Sequence, residues 1–189
     1  FGLAESTRES RTAMAKLETS FETAGFSAET AEKTFKDLYG VLGDEGKAVE
    51  AAQHLAKVAD SEEDLAEYTR ILTGVFAEYG DSIPTEGLAE GIAATASMGS
   101  VQGVLADALE WQGVNLDKFN HELAKLSTEE ERAAFIQETL TGLYGESADA
   151  YLENNAAVVE ANKAQAELNG ALNEMGAIAE PSMTTLKGV

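Results

Sequence analysis

The chain has two histidines, the side chains best able to ligate a metal or to transfer a proton near neutral pH. His121 begins the stretch His-Glu-Leu-Ala-Lys, which starts like the H-E-x-x-H helix of zinc proteases. Lys125 occupies the position where the second histidine of that motif must stand, and His54 belongs to no metal motif. A lone histidine on a charged helix is typical of a surface residue, so the sequence predicts no metal site.

Acidic residues cluster where helices are predicted to begin, as in Glu62-Glu63-Asp64 and Glu129-Glu130-Glu131. Negative charge in a first turn is stabilised by the helix dipole. Glycoside hydrolysis needs two carboxylates held apart across a cleft, which these runs do not indicate. Asp44-Glu45-Gly46 and Asp81-Ser82 lack the ladder of oxygen ligands that a calcium loop requires.

The remaining chemical signals are also absent from the sequence. The loop Gly99-Ser100-Val101-Gln102-Gly103 has neither the lysine of a phosphate-binding loop nor a nucleophile-elbow pattern. The chain contains no cysteine, which excludes disulfides and thiolate zinc sites. We therefore predict a protein that is not an enzyme, with no catalytic, metal-binding or cofactor-binding residues and no cofactor.

The charge of the chain argues against nucleic acid as a direct partner. Thirteen Lys and Arg stand against 34 Asp and Glu, a formal net charge of −21, whereas phosphate binding needs clustered basic residues. One interpretation is a solvated surface that favours solubility. The other is a surface that repels DNA or a wall of like charge.

Membrane insertion is not predicted either. The longest uncharged run, residues 91–106, is 16 residues of mostly Gly, Ala and Ser, too short and too weakly apolar to cross a bilayer about 30 Å thick. The sequence opens on Phe1 without a basic and apolar leader. This start predicts a fragment or a processed product rather than a secretion signal.

Trp111 is the one tryptophan of the chain. Beside Gly113 and Phe119 it is predicted to anchor a small core. The alternative is a binding hot spot for a partner, because tryptophan is enriched at such positions.

Apolar residues recur at intervals of three and four along most of the chain, and alternating strand patterns are absent, which predicts an all-α fold. Many of the apolar positions are alanine, so the helices should lie close together around a thin core. A first helix is predicted over residues 1–24. Further helix starts are predicted at Ser27, Asp44, Ser61, Pro84, Asn115, Ser127 and Ser147.

These signals divide the chain into three parts. Residues 1–145 are predicted to form several short antiparallel helices that pack as a bundle or layer. Residues 146–181 are predicted to contain one longer helix, which either projects from the domain or pairs with a partner helix as a coiled coil. Residues 182–189, which follow Pro181, are predicted to be a flexible tail.

One internal similarity concerns two helix ends. Phe-Lys-Asp-Leu-Tyr-Gly at residues 35–40 resembles Leu-Thr-Gly-Leu-Tyr-Gly at residues 140–145. Either Leu-Tyr-Gly makes a common helix end, or the two stretches derive from a duplicated helical unit.

Six stretches of the sequence together suggest a known family. They read KLETSFETAGF at 16–26, TFKDLYGVLGD at 34–44, AAQHLA at 51–56, LTGVF at 72–76, PTEGLAE at 84–90 and EANKAQ at 160–165. These stretches resemble the helical core of the tail tape measure proteins of bacteriophages and prophages, of the type found in long-tailed phages of Gram-positive bacteria. The similarity runs from near Phe1 to about Pro181 and includes no active-site motif.

This resemblance implies a structural role. Tape measure proteins are long chains that set the length of the tail and scaffold assembly of the tail tube. The implied partners are the tail tube protein, tail assembly chaperones and tail-tip or baseplate proteins, together with self-association. The implied location is the lumen of the virion tail, and the host cytoplasm during assembly.

Glycines and helix caps interrupt this region repeatedly, whereas a segment that only measures length should be one long continuous helix. The sequence therefore predicts a folded domain within a tape measure protein. The alternative is a stand-alone helical interaction or adaptor module, which the helical pattern supports equally well.

Overall fold

The computed structural model describes the backbone of residues 2–170 and the side chains of residues 7–170. No residue in this part of the chain lies in a β-strand, and the helices pack against one another. The predicted all-α class is confirmed.

The helices follow one another with short connections. Their bounds are α1 Gly2–Thr23, α2 Ala28–Leu42, α3 Glu45–Val58, α4 Glu62–Tyr79, α5 Thr85–Met98, α6 Leu105–Glu110, α7 Leu116–Ala124 and α8 Glu129–Asn154. A 3-10 turn at Gly80–Ser82 joins α4 to α5. Residues 156–170 are also helical and are named α9.

Side-chain caps start the helices largely where the sequence predicts them. Ser27, Asp44 and Ser61 each accept a hydrogen bond from the backbone N–H three residues later, so these predicted starts are confirmed. The cap of α8 is Thr128, one residue after the predicted Ser127. Pro84 precedes α5 and is not its first residue.

Small side chains let α3 and α5 lie close together at the centre of the domain. Ala48, Ala52 and Ala89 are fully buried, and Leu55 and Ile92 fill the space beside them. The two helices form one of the two most extensive contacts of the fold. The pairing fixes the relative position of any side chains that these helices carry at their common edge.

The other extensive contact joins α4 to α8, which are distant in sequence and run parallel. Asp64 accepts a hydrogen bond from Gln137 at the start of α4, and Glu78 accepts one from Ser147 near its end, so the contacts advance in the same direction along both helices. The prediction of antiparallel packing concerned helices adjacent in sequence. The structure adds parallel pairs between helices that are not adjacent.

Arg70 holds the middle of this contact. Its Nε and Nη2 donate to the two carboxylate oxygens of Asp149 at 2.9 and 2.8 Å, and its Nη1 donates to Glu67 at 2.9 Å. The hydrogen bond from Arg70 lowers the pKa of Asp149, and the same bond raises the pKa of Arg70. This bidentate pair fixes the orientation of α8 on α4. It adds little to the stability of the fold, because both groups are partly exposed to solvent.

Helix α8 continues through Ser147, where the sequence predicted a helix start. Gly145 does not end a helix but makes room for Arg70, because a Cβ at this position would lie 3.0 Å from Arg70 Nη2. The Ser147 hydroxyl donates to Glu78 at 2.7 Å and does not cap a helix. The boundary predicted at residue 145 therefore falls inside a continuous helix.

The break between α8 and α9 lies at Asn155. Its backbone N–H and its side-chain Nδ2 both donate to the carbonyl oxygen of Tyr151, so the side chain competes for a helical acceptor. Beyond it α9 lies against α2, where Asn162 Nδ2 donates to the carbonyl oxygen of Gly40 at 2.9 Å and Val159 is buried.

Residues 171–181 of the predicted longer helix and the predicted tail at 182–189 lie outside the described residues. The longer C-terminal helix and the three-part division of the chain stay predictions.

Two buried phenols predict how stability depends on pH. Burial raises the pKa of Tyr68 and of Tyr144 well above the ordinary value near 10. Both groups ionise near pH 10 in the unfolded chain but stay neutral in the folded one. We expect the free energy of unfolding to fall above about pH 10, by up to about 1.4 kcal/mol per pH unit for each phenol.

Denaturant unfolding between about pH 9 and 11 measures this slope. Tyr68→Phe and Tyr144→Phe each remove one phenol, so each variant should lose stability less steeply than the wild type. Equal slopes in the wild type and both variants would contradict the prediction.

Candidate functional site

Three side chains that can ligate a metal meet at the edge between α3 and α5. Glu50 and His54 lie one turn apart on α3 and therefore share a face, and Glu90 reaches them from α5. One ligand atom from each of the three lies within 4.8 Å of the others. The distance from His54 Nε2 to Glu50 Oε1 is 3.9 Å, longer than a hydrogen bond.

The imidazole is the most enclosed member of this cluster. The His54 side chain is 19% exposed, whereas the Glu50 side chain is 53% exposed, and Glu90 is also exposed. Among the described residues, the His54 imidazole forms no hydrogen bond, and its contact with the Glu50 carboxylate has only ion-pair length. The arrangement places a fixed nitrogen ligand between two adjustable carboxylates.

Further acidic groups flank the cluster along the same two helices. One carboxylate oxygen of Glu86, one turn before Glu90, is buried and has no hydrogen-bond partner among the described residues. Lys47, one turn before Glu50, lies 3.4 Å from Asp81, and this hydrogen bond raises the pKa of the lysine. The nearby cation is thus paired with Asp81.

An open groove between α1 and α3 gives access to the cluster. Its volume is about 780 Å³, and Glu50 and His54 form part of its lining together with Ala13, Lys16 and Val49. Solvent and small ions can therefore reach the α3 side of the cluster.

The second histidine is not part of any such group among the described residues. His121 is exposed on α7, and Lys125 binds the neighbouring Glu122 at 2.9 Å. This hydrogen bond lowers the pKa of Glu122. A paired lysine thus occupies the position where the zinc-protease helix needs its second histidine.

The acidic runs at helix starts form local hydrogen bonds. Glu62 accepts from the Thr30 hydroxyl at 2.6 Å, which ties α4 to α2. Asp64 accepts from the backbone N–H of Asp60, and Glu131 accepts from that of Ser127. These carboxylates orient helix starts, as predicted.

The Gly99–Gly103 loop does not present its backbone amides to a ligand. The N–H of Val101 donates to Asn120, and the N–H of Gln102 donates to Thr95. Both groups are used inside the protein, whereas a phosphate-binding loop needs them free.

Trp111 differs from its predicted role as a core anchor. Its side chain is 48% exposed, and its ring meets the ring of Tyr79 edge-on at a centroid distance of 5.1 Å. Phe119 stacks on Phe135 at a centroid distance of 4.9 Å.

Glu90 is the residue of the α3–α5 cluster that sequence reasoning missed. Glu50 and His54 are recognisable as a pair spaced by four residues on a predicted helix. Nothing in the sequence indicates that α5 carries a third ligand to them. The contact depends on the packing of α3 against α5, and the two helices run parallel. Lys47 near the start of α3 lies beside Asp81 just before α5, and the later Glu50 and His54 lie beside Glu90.

Within residues 2–170, none of the helices combines the length and the apolarity needed to cross a membrane. Comparison of the chain with protein-family models, with curated proteins and with solved structures gives no match.

Proposed function

We propose that this chain is a non-enzymatic structural segment of a phage tail tape measure protein, which sets tail length and scaffolds assembly of the tail tube. The support is the resemblance of the six stretches between Lys16 and Gln165 to the helical core of that family. The proposed location is the tail lumen, after assembly in the host cytoplasm.

One observation carries this proposal: the resembling stretches supply the residues at which helices touch. Gly74, in LTGVF, contacts Tyr144 of α8, and Gly40, in TFKDLYGVLGD, contacts Val159 and Lys163 of α9. Lys163 itself belongs to the stretch EANKAQ. Positions where helices lie close together tolerate few types of side chain. Proteins with the same helical fold should therefore have similar residues at these positions.

The surface charge suits the proposed partners and location. The tail tube protein, tail assembly chaperones and tail-tip or baseplate proteins would meet a chain that carries 34 acidic and 13 basic residues. A strongly negative segment inside the tube would repel the DNA that later passes through it.

The fold determines how much length this segment would contribute. The longest helix among the described residues, α8, has 26 residues and spans about 40 Å at 1.5 Å per residue. The same 189 residues as one straight helix would span about 280 Å. Because the helices fold back on one another, we propose that the segment acts in the tail as a folded piece.

Tail length measured by electron microscopy tests the proposal. Deleting this segment from the tape measure gene should shorten the tails by about 40 Å, and a tandem duplication should lengthen them by a similar amount. A Gly142→Ala variant, which keeps the number of residues, serves as the control. A change near 280 Å would mean that the segment is extended in the tail.

The second candidate is a stand-alone helical interaction module. It is favoured by apolar side chains exposed on α9, where Val158 is 56% and Leu168 is 53% exposed. Tails of unchanged length in both the deletion and the duplication, with a defined oligomer of the purified chain in light scattering, would replace the first proposal by this one.

A further inference from the structure

We propose that Glu50, His54 and Glu90 bind one divalent transition-metal ion of the zinc type, which links α3 to α5. This site is independent of the tape measure role. It revises the sequence prediction of no metal site, because the sequence does not show that α5 places Glu90 beside His54.

The spacing of the ligand atoms is close to that around one ion. Zinc is usually tetrahedral and binds histidine nitrogen and carboxylate oxygen at about 2.0–2.2 Å, so two of its ligand atoms lie about 3.3–3.6 Å apart. The distance from His54 Nε2 to Glu50 Oε1 is 3.9 Å, which exceeds this spacing by about 0.5 Å. The full group, within 4.8 Å, needs a contraction of up to about 1.5 Å, which exposed glutamate side chains can provide by rotation.

The backbone that carries the ligands is held by packing on both helices. Ala51 and Leu55, the neighbours of the α3 ligands, are fully buried, and so is Ala89 beside Glu90. The three ligands therefore project from fixed positions, and only the carboxylates must adjust. A site on rigid helices loses little conformational freedom when the ion binds.

The ligand set selects the class of ion. Imidazole nitrogen suits zinc and its first-row neighbours, whereas calcium and magnesium prefer oxygen ligands alone. Three protein ligands leave a coordination position open, and the groove beside Glu50 and His54 gives solvent access to it. We infer a zinc-type ion with a solvent ligand at this position.

Independent features of the surroundings also favour a cation. The His54 imidazole is largely enclosed, and its contact with Glu50 is too long for a hydrogen bond. The buried, unpartnered oxygen of Glu86 adds negative charge one turn from Glu90, while Lys47 is paired with Asp81. A bound cation would give the imidazole a ligand bond and would lie close to these carboxylates.

Isothermal titration of the metal-free chain with zinc chloride tests the site. We expect one equivalent to bind, and the melting temperature to rise by roughly 5–10 °C when free zinc is about 100 times the dissociation constant. Magnesium or calcium at the same concentration should leave the melting temperature unchanged.

Matched variants locate the binding. His54→Ala and Glu90→Gln should each weaken zinc binding by about a hundredfold or more, since even loss of a supporting partner of a ligand costs roughly 10–100-fold. His121→Ala and Glu153→Gln remove the same kinds of side chain from exposed helical positions and should bind as the wild type does. Circular dichroism of each variant without metal verifies that it is folded.

The Glu90→Gln variant tests the link between the helices, because Glu90 is the ligand from α5. Equal zinc affinity of the wild type and the folded His54→Ala variant would overturn the site. Unchanged affinity of Glu90→Gln would overturn the proposed link. Equal loss in the His121→Ala control would show that the ion binds elsewhere and would also overturn the proposal.

Discussion

Replacing Tyr144 by alanine is expected to lower the free energy of unfolding by about 3–5 kcal/mol, the usual cost of removing a large buried side chain. Tyr144 is fully buried in α8, and its hydroxyl donates to the carbonyl oxygen of Ala108. Its ring meets that of Tyr79 edge-on at 6.2 Å. The truncation leaves a cavity where α4, α6 and α8 meet, together with an unpaired buried carbonyl group.

Chemical denaturation measures this loss, and thermal unfolding should show a melting temperature lower by roughly 6–20 °C. Tyr151→Ala is the matched control, because Tyr151 lies two turns later in the same helix and is partly exposed against Phe76. Tyr144→Phe keeps the ring and removes the hydroxyl, so it should cost only about 1–3 kcal/mol.

The ordering of the three variants is the essential result. Tyr144→Ala should be the least stable, and Tyr151→Ala should stay within about 1–2 kcal/mol of the wild type. Similar losses for Tyr144→Ala and Tyr151→Ala would mean that α8 is not anchored on α4 and α6 at Tyr144.

Local chemistry explains why most helix boundaries could be predicted. A serine or aspartate that accepts a backbone hydrogen bond acts within three residues, so Ser27, Asp44 and Ser61 could be recognised as caps from the sequence alone. Gly43 and Gly99 end α2 and α5 with positive φ angles of 65° and 80°, a conformation that glycine adopts without strain. These signals depend on neighbours along the chain.

Long-range packing explains where the predictions differ from the structure. Gly145 has the local features of a helix end, but Arg70 of α4 occupies the space beside it and α8 continues. Ser147 has the features of a cap, but Glu78 of α4 accepts its hydrogen bond. In each case the deciding partner lies on another helix, and no local pattern identifies it.

The candidate site follows the same principle. The Glu50–His54 pair depends only on the helical repeat, whereas the third ligand, Glu90, depends on α5 lying parallel to α3. The parallel arrangement is possible because α4 returns the chain from the end of α3 to the start of α5. A sequence indicates α3 and α5 as separate helices more readily than it indicates the contact between them, because that contact joins residues far apart in the chain.

The internal similarity of residues 35–40 and 140–145 has a structural counterpart at both final glycines. A Cβ at Gly40 would lie 3.1 Å from the side chains of Val159 and Lys163, and one at Gly145 would lie 3.0 Å from Arg70. Both glycines therefore make room for a neighbouring side chain. A packing requirement of this kind accounts for a glycine at each of the two positions.

Replacing Gly74 by alanine is expected to destabilise the protein, although the same change in an open helix is stabilising. A Cβ at position 74 would overlap the backbone carbonyl oxygen of Tyr144 and lie 2.9 Å from its Cβ. A backbone group cannot rotate away as a side-chain end can, so α4 and α8 must separate. We expect a loss of about 1–3 kcal/mol or more, after the gain of about 1 kcal/mol in helix propensity.

Gly142→Ala provides the matched control, because Gly142 is exposed in α8 and no atom outside its own helical surroundings lies within 4 Å of a Cβ built there. It should stabilise the protein by about 1 kcal/mol through helix propensity alone. Opposite signs for the two substitutions, measured by denaturant unfolding, are the expected result. A Gly74→Ala variant as stable as Gly142→Ala would mean that α4 and α8 do not approach closely at this point, and the parallel α4–α8 pairing would have to be abandoned with it.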